Sequence, residues 1–461
     1  MDACDCTRRN FLKRIGLGAA CLALPGCVSQ AQYPAAGSGK SPNILFILAD
    51  DLGWADVGYH NSDIMTPNLD RLAKGGVRLQ QHYVQPMCTP TRTGLLTGRY
   101  PSRYGEHAIK PCNEQVLPFG TVTLASALKS CGYDTGISGK WHLGSKPEWG
   151  PLKFGFERSY GCLAGGVGQY NHLYKKGPYS RTWHRNDEFV DEQGHSTDLI
   201  SREATGWIET VKEPFFIYVA FTAVHVPVEV PAEYVKLYEG KKFYDDPAKD
   251  ESFKRYAAYA THMDHTIGQM VQALERTGRR ENTLIIFASD NGAIPRWAPS
   301  GNYPGTYKEC PVLGSNLPYR GLKAQLYEGG IRVPAFANWP GRLKPQTVDS
   351  PVHIVDWMPT LTGLVGCQTM QNLKWDGRDI WPLLTGELTT PEPRTLYWKF
   401  SGGAFAIRRG DWKMIIPGRD KEPQLYNIAA DPYEKQDLAK VHPDRVARLQ
   451  TLLAEYTKDD L

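Results

Sequence analysis

Along the middle of the chain, short continuous apolar runs alternate with segments of helical spacing. "NILFILA", "FFIYVAF" and "TLIIFAS" are unbroken apolar runs of strand length. Unbroken runs of that kind mark strands buried on both faces. Between them, "TPNLDRLAKGG" predicts a helix with Thr66 as cap, Pro67 at the first position and Gly75 past the end. "TVTLASALKSCGY" is helical and leads into the strand-like "DTGISG", and the segment from Phe253 to Thr277 predicts a long helix. Strands and helices in alternation predict an α/β fold, a mostly parallel sheet flanked by helices. Beyond about Leu384 the pattern changes. "TLYWKF", "AFAIRRG", "DWKMIIP" and "PQLYNI" predict short strands separated by turns, closed by a helical tail from Pro443. This is a small antiparallel sheet, so residues 41–384 are expected as a catalytic domain and 385–461 as a C-terminal subdomain.

The polar residues fall at the ends of the apolar runs. "NILFILA" is followed by Asp50 and Asp51, "DTGISG" by Lys140 and His142, "FFIYVAF" by His225, and "TLIIFAS" by Asp290 and Asn291. Ligand sites of open α/β sheets lie outside the carboxyl ends of the strands, so these clusters are expected to share one crevice. Each alone reads as an ordinary turn or a hydrogen-bonded histidine. Together they bring three carboxylates and an amide close enough to repel unless a cation sits among them, and hard oxygen ligands suit calcium or magnesium. Lys140, His142 and His225 add positive charge and proton-transfer groups suited to an anionic substrate. Lys323, in "YRGLKAQLYEGGIRVP", is either a solvated surface lysine or a further anion-binding group.

The N-terminus follows other rules. "CTRRNFLKRIGLGAACLALPGC" has a basic start, a short apolar stretch and small residues before Cys27, the layout of an export signal over residues 1–27. Arg8-Arg9 resembles a twin-arginine motif, and "LPGC" resembles a lipoprotein cleavage site with Cys27 as the lipid-bearing residue. Residues 28–40 are rich in small residues and read as a linker. The formal net charge of +4 comes partly from this leader, and the remainder is close to neutral, which gives no basis for a nucleic-acid or membrane-surface partner. With 41% hydrophobic and 22% charged residues the chain is globular rather than disordered, and no apolar run is long enough to span a bilayer. Cys88, Cys112, Cys131, Cys162, Cys310 and Cys367 remain past the leader and would pair evenly in an oxidising compartment, in an order the sequence leaves open.

In "QPMCTPTRTGLLTGR", Pro90 ahead of a Leu-rich segment reads as the first turn of a helix, which sets Cys88 at or just before the helix start. A cysteine there can be buried filler, half of a disulfide, a nucleophile or the precursor of another group. "CTPTRTGLLTGR" resembles the sulfatase signature, in which the cysteine of Cys-x-Pro-x-Arg becomes Cα-formylglycine. "LADDLGW", "GKWHLG", "SDNG", "GLKAQLYEGGIRVP" and the closing "LYNIAADPYEKQDLA" resemble further sulfatase blocks in order and spacing. The resemblance covers roughly residues 41 to 440 and lies nearest the arylsulfatase B group, which acts on 4-sulfated N-acetylgalactosamine.

This resemblance implies an alkaline-phosphatase-like fold and a hydrolase of sulfate monoesters. It implies one calcium ion on Asp50, Asp51, Asp290 and Asn291, with the modified Cys88 also bound to it. Arg92 would hold the formylglycine, Lys140 and Lys323 the sulfate oxygens; His225 would protonate the leaving alcohol and His142 would act as base. A hydrated formylglycine offers one hydroxyl to attack sulfur and a second to release sulfate. The implied partners are a sulfated glycan, first of all 4-sulfated N-acetylgalactosamine, and a formylglycine-generating maturation enzyme. Thr91 stands where the family usually has serine. Rival readings are a phosphate or phosphonate monoester hydrolase of the same superfamily, and a non-catalytic glycan-binding lipoprotein. Tyr170, His172 and Trp297 are candidates for sugar contact.

Overall fold

The computed structural model describes residues 40–367 and 373–461. The expected export signal, Cys27 and linker residues 28–39 lie outside the described residues. A ten-stranded mixed sheet runs in the order Gln346–Val348, Val77–Leu79, Ala335–Asn338, Thr283–Ser289, Asn43–Ala49, Phe215–Ala220, Asp134–Gly139, Arg158–Cys162, Trp183–Arg185, Glu188–Phe189. Its five central strands, Thr283–Ser289 through Arg158–Cys162, are mutually parallel. The predicted apolar runs form this centre, and the antiparallel members flank it.

Both faces are covered, which is why the runs lack a polar alternation. Leu45 and Ile47 face one core with Phe215, Ile217, Ile285 and Phe287, packed by the helices Pro67–Lys74, Ser196–Thr210 and Pro247–Arg276. Phe46 faces the other way, edge-on to Trp357 at 5.9 Å, at the start of the helix Trp357–Leu364. That face also carries the helices Cys88–Thr97 and Leu124–Ser130, and Cys131 at the end of the latter is disulfide-bonded to Cys367. Among the described residues Cys88, Cys112, Cys162 and Cys310 are free. No helix of the described residues is long and apolar enough to cross a membrane.

The second sheet is four-stranded and antiparallel, Thr395–Phe400, Ala404–Arg409, Trp412–Ile416 and Gln424–Asn427, followed by the helix Pro443–Tyr456. Its inner face packs Leu396, Trp398, Ala406 and Ile415 against Tyr83, Leu326 and Ile331. The last two flank the turn after Lys323. Beneath them lies a buried charge cluster. Lys413 Nζ stands 2.8 Å from both Glu328 Oε1 and Glu434 Oε1, and all three side chains are fully buried. The C-terminal sheet therefore holds the Lys323 segment in place through apolar packing and ion pairs together.

Candidate active site

The strand register delivers the polar clusters to one place. Ala49 lies opposite Ser289, Leu48 opposite Ala220, and Gly139 opposite Ala220, so the residues that follow emerge side by side. Backbone hydrogen bonds continue the register past the strands: Asp290 N–H donates to Ala49 O (3.0 Å) and Lys140 N–H to Ala220 O (2.7 Å). Asp51 and His142 then take left-handed backbone conformations, φ 62° and 57°. Side chains other than glycine rarely adopt these, and such positions concentrate at functional sites. Gly139, at φ 121°, is required where it is, because a Cβ there would stand 1.9 Å from Ala220 O.

The charges interlock. Lys140 Nζ donates to Asp50 Oδ2 at 2.6 Å, both fully buried. Lys323 Nζ donates to both oxygens of Asp51, at 2.6 and 2.8 Å. Asn291 Nδ2 donates to Asp51 Oδ1 (2.7 Å), and His225 Nε2 lies 3.8 Å from Asp51 Oδ2. Arg92, fully buried, donates to Asp290 Oδ2 and to Lys140 O, both at 2.8 Å. Thus Arg92 anchors the helix Cys88–Thr97 to two strand ends. Thr91 adds a third tie, its hydroxyl donating to Asp290 O (2.6 Å) and accepting from Gln85 N–H (3.0 Å). The hydroxyl is what this position uses, and threonine supplies it as serine would.

Cys88 opens this helix and is buried. Burial raises its pKa, against the pull of Lys140 and Lys323, so the unmodified side chain stays a thiol rather than a thiolate. Cys88 Sγ and one oxygen each of Asp50 and Asp290 lie within 4.8 Å of one another, and so do ligand atoms of Asp50, Asp51 and His225. Burial first, then the Asp290 charge, push the Asp50 carboxyl up to about 8 despite Lys140. Burial raises the Asp51 carboxyl too, but Lys323 and His225 outweigh it and hold the group below the usual range.

Two buried oxygens, Asp50 Oδ1 and Asn291 Oδ1, have no hydrogen-bond partner among the described residues. Buried polar atoms are rarely left so. Unpaired oxygens beside crowded carboxylates are the donor set a hard cation takes, so the residues present fit a metal ion. His142 is buried, its Nδ1 also without a partner among the described residues, and burial, then Lys140, push its pKa well down. Burial, then Lys323, bring His225 to about 3, so both histidines are neutral as they stand.

All the residues singled out by strand-end position, and Lys323 with them, meet in this crevice. The proposed sugar contacts fare differently. His172 is buried, stacked on Trp183 at 4.5 Å and bonded to Gly194 O, which is a packing role. Tyr170 is exposed beside His195, and Trp297 pairs by backbone with Cys310. Not foreseen is the part played by Gly165 and Gly166. A Cβ at Gly165 would stand 2.5 Å from His142 Nε2, and one at Gly166 would stand 3.1 Å from His225 Nδ1. The doublet in "LAGGVG" is the only sequence signal for this close approach.

The sulfatase family model matches residues 42–367. The chain belongs to the sulfatase family. It is a sulfuric ester hydrolase, and the match spans every strand-end cluster described above and Lys323. Arylsulfatase J of Mus musculus is 34% identical, covering 93% of this sulfatase and 78% of the mouse chain. The N-acetylgalactosamine-6-O-sulfatase of Bacteroides thetaiotaomicron is 29% identical over 93% of this chain and 96% of its own. Among solved structures, Ps i-CgsB in complex with k-i-k-neocarrahexaose is 31% identical with a TM-score of 0.79, covering 92% of this sulfatase and 94% of that chain.

Proposed function

We propose that this sulfatase is exported and removes sulfate from a terminal sugar of a sulfated glycan, using formylglycine at position 88 and one calcium ion. The observation that carries the reading is the pairing of Cys88, at a helix start, with two buried carboxylates and two lysines in one crevice. Asp50, Asp51, Asp290 and Asn291 would hold the calcium, which polarises sulfate oxygens when bound. Hydrated formylglycine would supply the attacking hydroxyl and a second hydroxyl for release of sulfate; a formylglycine-generating enzyme would install it.

The chain's own residues supply the rest. Arg92, held by Asp290 and Lys140 O, fixes the turn that carries residue 88. Lys140 and Lys323, now paired with Asp50 and Asp51, are positioned to exchange those carboxylates for sulfate oxygens when a cation takes over the negative charge. His225 Nδ1 is tied to Val226 O at 2.6 Å, which leaves Nε2 facing the crevice to carry a proton to the leaving alcohol. An anionic ester beside it raises its proton affinity against burial and Lys323. His142 Nδ1, unpaired, is the matching base.

One prediction tests the cation directly. Asp50→Asn keeps the shape and removes one charge of the set, and calcium affinity measured by titration calorimetry falls by about a hundredfold or more. Unchanged affinity in a folded variant would place the cation elsewhere. Export is supported by the basic and apolar N-terminal layout, and by the Cys131–Cys367 disulfide, a bond kept in oxidising compartments.

For the sugar, 4-sulfated N-acetylgalactosamine is the first candidate. The relatives named N-acetylgalactosamine-6-sulfatase support the sugar but offer a different position. The neocarrahexaose complex favours a second reading, sulfated galactose of an algal galactan. The loops 162–177 and 293–316 meet, with Lys176 N–H on Asn302 O (2.7 Å) and Asn171 Nδ2 on Pro304 O (2.6 Å). A wall on that side suits a chain end better than the middle of a polymer. The test is a panel of 4-sulfated and 6-sulfated N-acetylgalactosamine and 4-sulfated galactose, given to protein coexpressed with a maturation enzyme. Fastest release is expected from 4-sulfated N-acetylgalactosamine; faster hydrolysis of either other sugar rejects that assignment.

A further inference from the structure

Tyr303 comes from the loop between the strands Thr283–Ser289 and Ala335–Asn338, yet it is only 6% exposed. Its hydroxyl is buried and has no hydrogen-bond partner among the described residues. A Cβ on Gly166 would stand 2.9 Å from this hydroxyl and 3.1 Å from His225 Nδ1. The hydroxyl therefore borders Gly166 together with His225, on the side of the ring away from Asp51. Tyr174 meets its ring edge-on at 5.9 Å, Tyr307 lies 6.4 Å away, and the Lys175 ammonium sits 5.9 Å from its ring centroid. The ring is thus fixed by packing, while the hydroxyl is left unsatisfied.

A buried, unpaired donor is costly unless something completes it. Water is one answer, but a substrate atom fits the position better. The lysines that would take the sulfate oxygens lie on the Asp50–Asp51 side, whereas Tyr303 lies across His225 from them. His225 in the proposed mechanism faces the ester oxygen that stays with the sugar. The next polar atoms beyond that oxygen belong to the sugar itself. Burial, then the neighbouring Tyr174, keep the phenol protonated at any physiological pH, so it is a donor.

We propose that Tyr303 is a specificity residue whose hydroxyl donates to an oxygen of the sulfated sugar next to the scissile ester. The proposal rests on the sulfatase reading and adds to it a sugar-specific contact from the loop 293–316. It predicts that the active site distinguishes a sugar sulfate from an aryl sulfate, because only the first offers a ring oxygen or hydroxyl there.

The experiment compares wild type and Tyr303→Phe on 4-nitrophenyl sulfate and on whichever panel sugar the wild type hydrolyses fastest. Phenylalanine keeps the ring contacts with Tyr174 and Tyr307, so the thermal unfolding midpoint is expected to stay within a degree or so of wild type. On the sugar, kcat/KM is expected to fall about tenfold to a hundredfold, most of it in KM, the range for one lost hydrogen bond that leaves its partner unmet. On 4-nitrophenyl sulfate it is expected to change less than about twofold. Equal losses on both substrates would put Tyr303 at the sulfate or in the scaffold and overturn the proposal. So would unchanged kinetics on the sugar. Absence of wild-type turnover on every panel sugar and on 4-nitrophenyl sulfate alike, after maturation, would instead strike the proposed function.

Discussion

Cys88→Ala is expected to abolish turnover, by about 10⁴-fold or more, while the protein folds as before. Alanine is the best helix former and Cys88 opens a helix, so the substitution costs no local structure. The neighbours of the Cys88 side chain hold their bonds without it: Arg92 to Asp290 and Lys140 O, Lys140 to Asp50, and Thr91 to Asp290 O. The lost activity would therefore belong to the chemistry of residue 88 and not to its packing. A thiol is poorly suited to that chemistry, since burial keeps it protonated. The decisive measurement is peptide mass analysis of the active enzyme beside the variant's kinetics and melting curve. Active wild-type protein is expected to carry the aldehyde at position 88, and protein made without a maturation enzyme is expected to carry the thiol and be inactive. Full activity in a preparation whose Cys88 is all unmodified would sink the mechanism.

How far the sequence exposed this site depends on which physical signal each part leaves. The central strands were legible because burial on both faces turns them into unbroken apolar runs, and the strand-end rule then located Asp50, Asp51, Lys140, His142, His225, Asp290 and Asn291. The short outer strands Val77–Leu79, Trp183–Arg185, Glu188–Phe189 and Gln346–Val348 were not. They are two or three residues long and carry polar residues, so no period develops. The long helix begins at Pro247, ahead of the expected Phe253, because its first turn is polar and is set by the Asp246 cap rather than by apolar spacing. Within the site, residue types were readable but partners were not. Lys140 and Asp50 are 90 positions apart, and Lys323 and Asp51 are 272 apart. Only the folded register decides which lysine meets which carboxylate. Tyr303 and the Gly165–Gly166 doublet sit in loops, where hydrophobic periodicity says nothing about what a side chain approaches.

The largest expected effect on stability lies away from the crevice, at Lys413. Its ammonium is the shared partner of Glu328 and Glu434, and Glu328 also accepts from Tyr83 Oη at 2.6 Å, with Arg332 Nη1 3.4 Å away. Glu434 closes the cluster by accepting from Glu328 N–H at 2.7 Å. Lys413→Met retains most of the volume but removes the cation between two buried carboxylates, and breaking such a pair costs about 3–5 kcal/mol. The cost depends on pH in a definite direction. Burial raises the Glu434 carboxyl from 4.5 to about 7 in the folded chain, with Glu328 adding to burial and Lys413 opposing it. The folded state therefore binds more protons than the unfolded one between those values, and this group's contribution to stability declines as pH rises through that window. Without Lys413 the folded value moves higher still, so the variant is closest to wild type near pH 5 and furthest from it near pH 8. Urea unfolding of both proteins at the two pH values reads this out, and Lys413→Met combined with Glu434→Gln is expected to recover part of the loss at pH 8. A single variant within about 1 kcal/mol of wild type at pH 8 would show that the cluster is not what fastens the C-terminal sheet to the turn after Lys323. If it is, heating the variant should release that turn first, and sulfatase activity should decline before the main sheet unfolds.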